Sequence, residues 1–297
     1  MRVDYVRDGL IEEFHEGIIV HLDTKNPPQE PYYLRSCAKP LQASLLVDYK
    51  IDLTPEELAF CSGSHAGEDC HVKVGLELLQ KLGLDESYLK CGVHEPLAGL
   101  KYGEQARAIH NNCSGKHIGF LAICKKNGWD LESYYEPEHP LQIEIKKKIY
   151  ELCNILPRPV GEGWGEGFPI TTDGCGVPIV SMPLHNLVIG FKNLSQNYPQ
   201  IVNAILNNPY IFGGKNRLDT EIIQKTGLLA KVGAGGLCVV YNTKLNDGFA
   251  VKMYDASMPA RRFAVFETIN KLGWADVKID KSIKTINGKI VGEIIVN

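Results

Sequence analysis

Ser36 and Lys39, in the stretch "RSCAKP" (35–40), stand three residues apart with Arg35 beside them. One turn of helix would place the Lys39 amine beneath the Ser36 hydroxyl, as a nucleophile with its own base requires. A serine hydroxyl reacts only when a base takes its proton, and lysine is such a base only where burial or nearby cations depress its pKa. The same spacing suits a helix cap, with Ser36 opening a helix and Lys39 a solvated charge in its first turn. Pro40 favours helix initiation but restrains Lys39 from helical dihedrals. On these residues alone the cap is the simpler reading.

Four further segments are denser in Gly, Ser, His, Cys and Lys than folding requires: "CSGSHAGEDCH" (61–71), "NNCSGKHIG" (111–119), "TTDGCGVP" (171–178) and "AKVGAGG" (230–236). Lys231 precedes Gly233 by two residues on an expected strand. Penicillin-recognising enzymes join a Ser-x-x-Lys pair to a Lys-Thr-Gly strand, and the order here is the same, although KVG can equally be an ordinary strand end. Ser64 or the "NNCSG" stretch could supply a hydroxyl between the two lysines. Cys113, Lys116 and Cys175 raise the question of a metal. Thiolates are good zinc ligands, but lysine binds only as the free amine, and on spacing alone two unrelated buried cysteines are the simpler reading. His65, Glu68 and His71 lack the i, i+4 histidine spacing of a zincin helix, which favours capping and supporting roles.

The elements that must position these residues begin with sheet. Apolar and polar residues alternate on both sides of "RDG" (7–9) and again through "GIIVHLD", which predicts an antiparallel hairpin. Thr54-Pro55-Glu56-Glu57 has the form of a capping box opening a short helix that Gly63 ends. Near-3.6 periodicity predicts helices through "CHVKVGLELLQKLG", "GKHIGFLAICKKNG" and "HPLQIEIKKKIYELC". From 164 onward Gly, Pro and short apolar runs, through "IVSMPLHNLVIGF", predict turns and strands around a site. Helices are expected over 198–208 and 219–226. "GLCVVYN" and "FAVKMYD" flank a polar turn as a second hairpin, a helix runs from Pro259 to Leu272, and "GKIVGEIIV" closes the chain as a strand. This layout predicts a single α+β domain over 1–297, an antiparallel sheet shared by the terminal strands and flanked by helices, with a largely helical subdomain at about 40–160.

The bulk composition narrows the partners. The 297 residues are 44% hydrophobic, enough for a sizeable core. The 35 acids and 32 Lys and Arg are mixed along the chain, so no basic stripe awaits nucleic acid and a small neutral or zwitterionic partner is easiest to accommodate. No stretch approaches a membrane span and the first seventeen residues lack an apolar core, so a cytoplasmic protein is expected. Nine cysteines without a CxxC pair suit reduced thiols.

Taken in order, RSxxKPxQ (Arg35 to Gln42), SHxGE (Ser64 to Glu68), NxCSGKHxGFL (Asn111 to Leu121), DGCGxP (Asp173 to Pro178) and KxGAxG (Lys231 to Gly236) resemble the rhizobial-type, or class 3, L-asparaginases over nearly the whole chain. The resemblance implies a serine β-lactamase/glutaminase-like fold, a homodimer, and hydrolysis of L-asparagine to L-aspartate and ammonia. It implies two Ser-Lys tandems, Ser36 with Lys39 and Ser64 with Lys231, and one zinc per chain held by Cys113, Lys116 and Cys175. Arg35, His65 and Asp173 would then line the substrate and metal pocket. Zinc would orient substrate and tune Lys116, with activation of a water as the rival role. One departure stands out: Gly235 occupies a position where the family usually has Glu. A glutaminase or another serine amidase on the same fold is the nearest alternative, since asparagine is only one methylene shorter than glutamine. A zinc-stabilised binding protein without turnover is the alternative of a different class.

Overall fold

The computed structural model describes residues 1–155 and 168–297. The first residues of the Gly- and Pro-rich stretch (164–167) and the last of the expected helical region (156–160) lie outside the described residues. The described strands are β1 (Arg2–Arg7), β2 (Leu10–His21), β3 (Pro31–Tyr33), β4 (Ile170–Thr172), β5 (Pro178–Pro183), β6 (Leu229–Gly233), β7 (Leu237–Asn242), β8 (Asp247–Met253), β9 (Ser282–Lys284) and β10 (Ile290–Val296). Seven of them form one sheet in the order β6-β7-β8-β2-β1-β10-β9, and β3-β5-β4 form a small second one. Every pairing is antiparallel. With the helices between them, this is the mixed helix-and-strand architecture expected for α+β.

Local chemistry accounts for the hairpins. Asp8 and Gly9 both have positive φ (46° and 84°), as a two-residue turn matching the strand twist requires. The second hairpin pairs β7 with β8 through Asn242 opposite Asp247. The chain ends meet because β1 takes β10 as a neighbour, Val3 opposite Val296. Every residue of β7 is buried, so both faces of the sheet are covered there, and the Leu184–Asn197 and Met258–Lys271 helices both pack on it.

The expected helices form within a residue or two of their predicted ends. The Thr54 side chain accepts from the Glu57 N–H while the Glu57 carboxylate accepts from the Thr54 N–H, which opens the Pro55–Ser62 helix. Asp69–Lys81 stops before Gly83 and Ser114–Asn127 before Gly128, both glycines left-handed. One expectation fails: "LHNLVIGF" is not turn and strand but the start of a 14-residue helix, Leu184–Asn197. Leu184, Leu187, Val188, Phe191 and Leu194 are buried at helical spacing, and β5 ends at Pro183, immediately before it. A short apolar run cannot by itself distinguish a strand from the first turns of a helix.

Two packing contacts position the segments that carry Ser36, Lys231 and Ser64. β6 is an edge strand of the large sheet, and the 3₁₀ turn Arg35–Ala38 packs directly on it, with Cys37 Sγ donating to the Lys231 carbonyl at 3.2 Å. The loop after Ser62 is held against Phe212, whose carbonyl accepts from the Ser64 N–H at 3.1 Å. Gly63 permits this approach: a Cβ there would lie 2.3 Å from the Phe212 oxygen. Gly63→Ala must therefore push this loop off Phe212, and denaturant unfolding should show a loss of about 1–3 kcal/mol; an unchanged midpoint would show that the contact does not fix the loop.

Candidate active site

Ser36 sits on the wall of a cavity of about 490 Å³, together with Arg35, Cys113, Asp173, Cys175, the last two residues of β6 (Val232 and Gly233) and the turn after it (Ala234 to Gly236). That volume lies in the range of small-molecule sites. Arg35, next to the serine, is held at φ 47°, a left-handed conformation that is uncommon for a non-glycine residue and typical of strained functional turns. The Ser36 hydroxyl does not cap a helix: the 3₁₀ turn has no side-chain cap, and Ser36 lies inside it.

Lys39 departs from the simpler expectation in two ways. It adopts helical dihedrals (φ −59°, ψ −44°) despite Pro40, and it is 2% exposed instead of solvated. The restraint before proline is a preference, and here tertiary contacts override it: Lys39 Nζ donates to the Asn112 carbonyl at 2.9 Å. No carboxylate lies within ion-pair distance of it among the described residues. Burial pushes the Lys39 amine below its ordinary value, and Lys116 and Lys231 push the same way against the opposing Cys113 sulfur.

Lys231 is placed differently. It is fully buried and forms an ion pair with Asp219 at 3.1 Å, also donating to the Val232 carbonyl at 2.9 Å. Burial alone would raise the Asp219 carboxyl, but Lys231 and Arg217 outweigh it and hold the group low. Ser64 is 1% exposed, and its Oγ has no hydrogen-bond partner among the described residues. Neither lysine donates to Ser36 or Ser64; catalytic hydrogen bonds often tighten only when substrate is bound. The two lysines thus differ by their counter-ion. Asp219 was not legible in the sequence, because nothing in "RLDT" (217–220) reveals that the first turn of the Leu218–Thr226 helix faces β6.

Cys113 and Cys175 line the same cavity and Lys116 reaches Cys175, and none of the three is more than 6% exposed. Cys175, with Lys39 and Lys116 nearby, holds the Cys113 thiol well below its ordinary value despite burial, while Cys113 and burial raise Cys175. Lys116 Nζ lies 3.0 Å from Cys175 Sγ; burial would lower its amine, but the two sulfurs outweigh this and raise it to about 12. Among the described residues no three His, Cys, Asp or Glu side chains form a metal-holding group. A metal here would therefore need the lysine amine as a third donor beside two sulfurs. His117 stands behind, its Nδ1 2.6 Å from the Tyr134 hydroxyl and its ring close to Cys175.

The three expected pocket residues separate. Arg35 Nε donates to Asp173 Oδ1 at 2.7 Å, and both residues line the cavity. Burial tends to raise the Asp173 carboxyl, but Lys116 and Arg35 hold it below its ordinary value. Asp173 Oδ1 also accepts from the Gly174 N–H at 2.9 Å, and Oδ2 has no partner among the described residues. His65 does not line the cavity. It is fully buried behind it, stacked between Phe60 and His71, with Nε2 2.9 Å from Ser114 Oγ and Nδ1 accepting from the Gly67 N–H. Both ring nitrogens are occupied, so His65 braces the loop after Ser64. His71 caps the Asp69–Lys81 helix and, through Nε2, contacts the Tyr210 carbonyl. Gly235 borders the cavity at φ 70°, where a Cβ would point toward Lys252 Nζ, 3.9 Å away.

The contrast between the lysines has a measurable consequence. Asp219→Asn leaves Lys231 buried without its counter-ion and should cost about 3–5 kcal/mol of stability in denaturant unfolding. Lys39→Met removes a cation that the fold disfavours. The folded state holds that proton less tightly than the unfolded chain, so wild-type stability relative to Lys39→Met should rise as pH climbs toward 10.5, the ordinary lysine value. A difference that stays flat with pH would show that Lys39 is not depressed.

No curated protein matches the sequence. The L-asparaginase II family matches residues 3–294, a span that contains Ser36, Lys39, Ser64, Lys231 and the Cys113, Lys116, Cys175 set. The chain belongs to the L-asparaginase II family, whose assignment makes it an amide-hydrolysing enzyme of asparaginase type.

Proposed function

We propose that the chain is an L-asparagine amidohydrolase of serine β-lactamase/glutaminase-like fold, working through an acyl-enzyme on Ser36. The observation that carries this reading is the position of Ser36 on the cavity wall, one helical turn from a buried Lys39 that has no carboxylate partner. Ser36 Oγ attacks the side-chain amide carbon while its proton passes to the Lys39 amine. Backbone N–H groups at the cavity wall stabilise the oxyanion. The Lys39 ammonium then protonates the departing nitrogen, the C–N bond breaks, and ammonia leaves a β-aspartyl ester. Water hydrolyses that ester with Lys39 again taking a proton, which returns to Ser36 Oγ as aspartate is released.

Ser64 and Lys231 form the second tandem in this reading. Lys231, paired with Asp219, contributes positive charge beside the cavity, and the unpartnered Ser64 hydroxyl supplies a second polar group that can relay a proton. Asp173 Oδ2 is the acceptor available to the substrate α-ammonium, since Oδ1 is taken by Arg35 and the Gly174 N–H. The second reading, glutamine as the preferred substrate, draws on Gly235, which leaves open space on the cavity wall.

The sulfur and amine donors of Cys113, Cys175 and Lys116 suit zinc, which favours thiolate and neutral nitrogen ligands. Bound there, zinc would act as a Lewis acid that orients a polar substrate group. Its binding would require Lys116 to surrender a proton, so metal uptake should release protons and weaken as pH falls.

Two measurements test the proposal. Ammonia release from asparagine should exceed that from glutamine at equal concentration, and Ser36→Ala should abolish it while the thermal melt stays within a few degrees; greater release from glutamine would overturn the asparagine assignment, and persistent activity in Ser36→Ala would overturn the nucleophile. Elemental analysis of freshly purified protein should find zinc that Cys113→Ala lacks, and an undiminished zinc content in the variant would remove this metal site.

A further inference from the structure

Among the described residues three arginines line the cavity, and two are already engaged. Arg35 is paired with Asp173 at 2.7 Å. Arg261 donates from Nη1 to the Gly233 and Leu237 carbonyls at 2.8 and 3.0 Å, which ties the β6-β7 turn to the Met258–Lys271 helix. The Arg217 side chain makes no hydrogen bond and no ion pair to any described residue, and its Nε is buried without a partner. It lies on the wall shared by the 490 Å³ cavity and a second cavity of about 840 Å³.

The position of Arg217 is fixed by its neighbours. It precedes the Leu218–Thr226 helix, follows Asn216 at φ 60°, and stands two residues before Asp219, whose ion pair with Lys231 anchors the segment to β6. It is close enough to Asp219 to help hold that carboxyl low. Arg217 is half-buried and of its donors only Nε is shut off from solvent, so the terminal amines stay accessible at the cavity wall, and the guanidinium fork matches a carboxylate in two parallel hydrogen bonds.

We propose that Arg217 binds the α-carboxylate of the amino-acid substrate. The inference rests on the asparaginase reading above for the identity of that substrate, but its physical basis is the unpartnered guanidinium on the cavity wall. Together with Asp173 Oδ2 it makes a two-ended clamp, an anion receptor and an ammonium receptor facing one cavity. Such a clamp selects free α-amino acids over amides that lack the carboxylate, because the charge-assisted pair with the arginine then does not form.

The test compares wild type with Arg217→Gln and Arg217→Lys by isothermal titration with L-aspartate and with 3-aminopropanoate, which lacks only the α-carboxylate, alongside asparagine turnover. The melt of each variant establishes that it is folded, and the lysine variant carries the comparison should the glutamine one not fold. Wild type should bind aspartate in preference to 3-aminopropanoate. Arg217→Gln should weaken aspartate binding roughly 10- to 100-fold, as for loss of a charge-assisted pair, and change 3-aminopropanoate less than about threefold. Equal loss for both ligands, or no loss for either, overturns the assignment; the latter is also the result expected if Arg217 serves the second cavity. Asparagine turnover that survives either of those results leaves the asparaginase reading standing. Selective loss of aspartate binding in a protein that does not hydrolyse asparagine would keep the carboxylate receptor and remove the substrate assignment.

Discussion

Three lysine amines, Lys39, Lys116 and Lys231, are buried behind one small cavity, and each is at most 3% exposed. Burying a cation is costly unless something nearby compensates, so the surroundings of the site are organised around three different compensations. Lys231 has a carboxylate, Asp219. Lys116 has two sulfurs. Lys39 has a backbone carbonyl and the nearby Cys113 sulfur, the weakest set, and burial pushes its amine down. Mutual repulsion among the three reinforces the difference, because a proton is most easily given up where no full anion holds it.

The fold supplies these compensations from distant parts of the chain. Lys231 comes from the edge strand β6 and Asp219 from the helix before it. Lys39 is presented by the 3₁₀ turn leaning on that edge, and Cys113 and Lys116 come from the start of the Ser114–Asn127 helix. An edge strand is a natural place for such a site, since its free side accepts a turn and a ligand where an interior strand would be fully paired. The cysteines that are not at the site, such as Cys61, Cys124 and Cys153, are buried and packed, with thiols raised by burial and inert as nucleophiles.

What the sequence revealed follows from how local each feature is. The Asp8-Gly9 turn, the Thr54 capping box and the glycines after two helices are encoded within a few residues, and each forms where expected. The Leu184–Asn197 helix was hidden because its first turns share an apolar run with β5. At the site, the motif residues were legible as a set, but their surroundings were not. His65 sits in its motif yet turns away from the cavity to brace Ser114, and no spacing rule tells which side of a loop a ring will take. Asp219 and Arg217 carry no signal of their own, since their importance arises only when a helix turn meets β6. Lys39 shows the opposite case, in which a local rule about the residue before proline yields to tertiary burial.

The central claim is that Ser36, not Ser64, is the group that becomes acylated. Rapid acid quench of the enzyme during asparagine turnover, followed by peptide mass spectrometry, reads this directly. A β-aspartyl adduct on the peptide carrying Ser36, absent after Lys39→Met, is the predicted result; an adduct on the peptide carrying Ser64, with Ser36 unmodified, would contradict it.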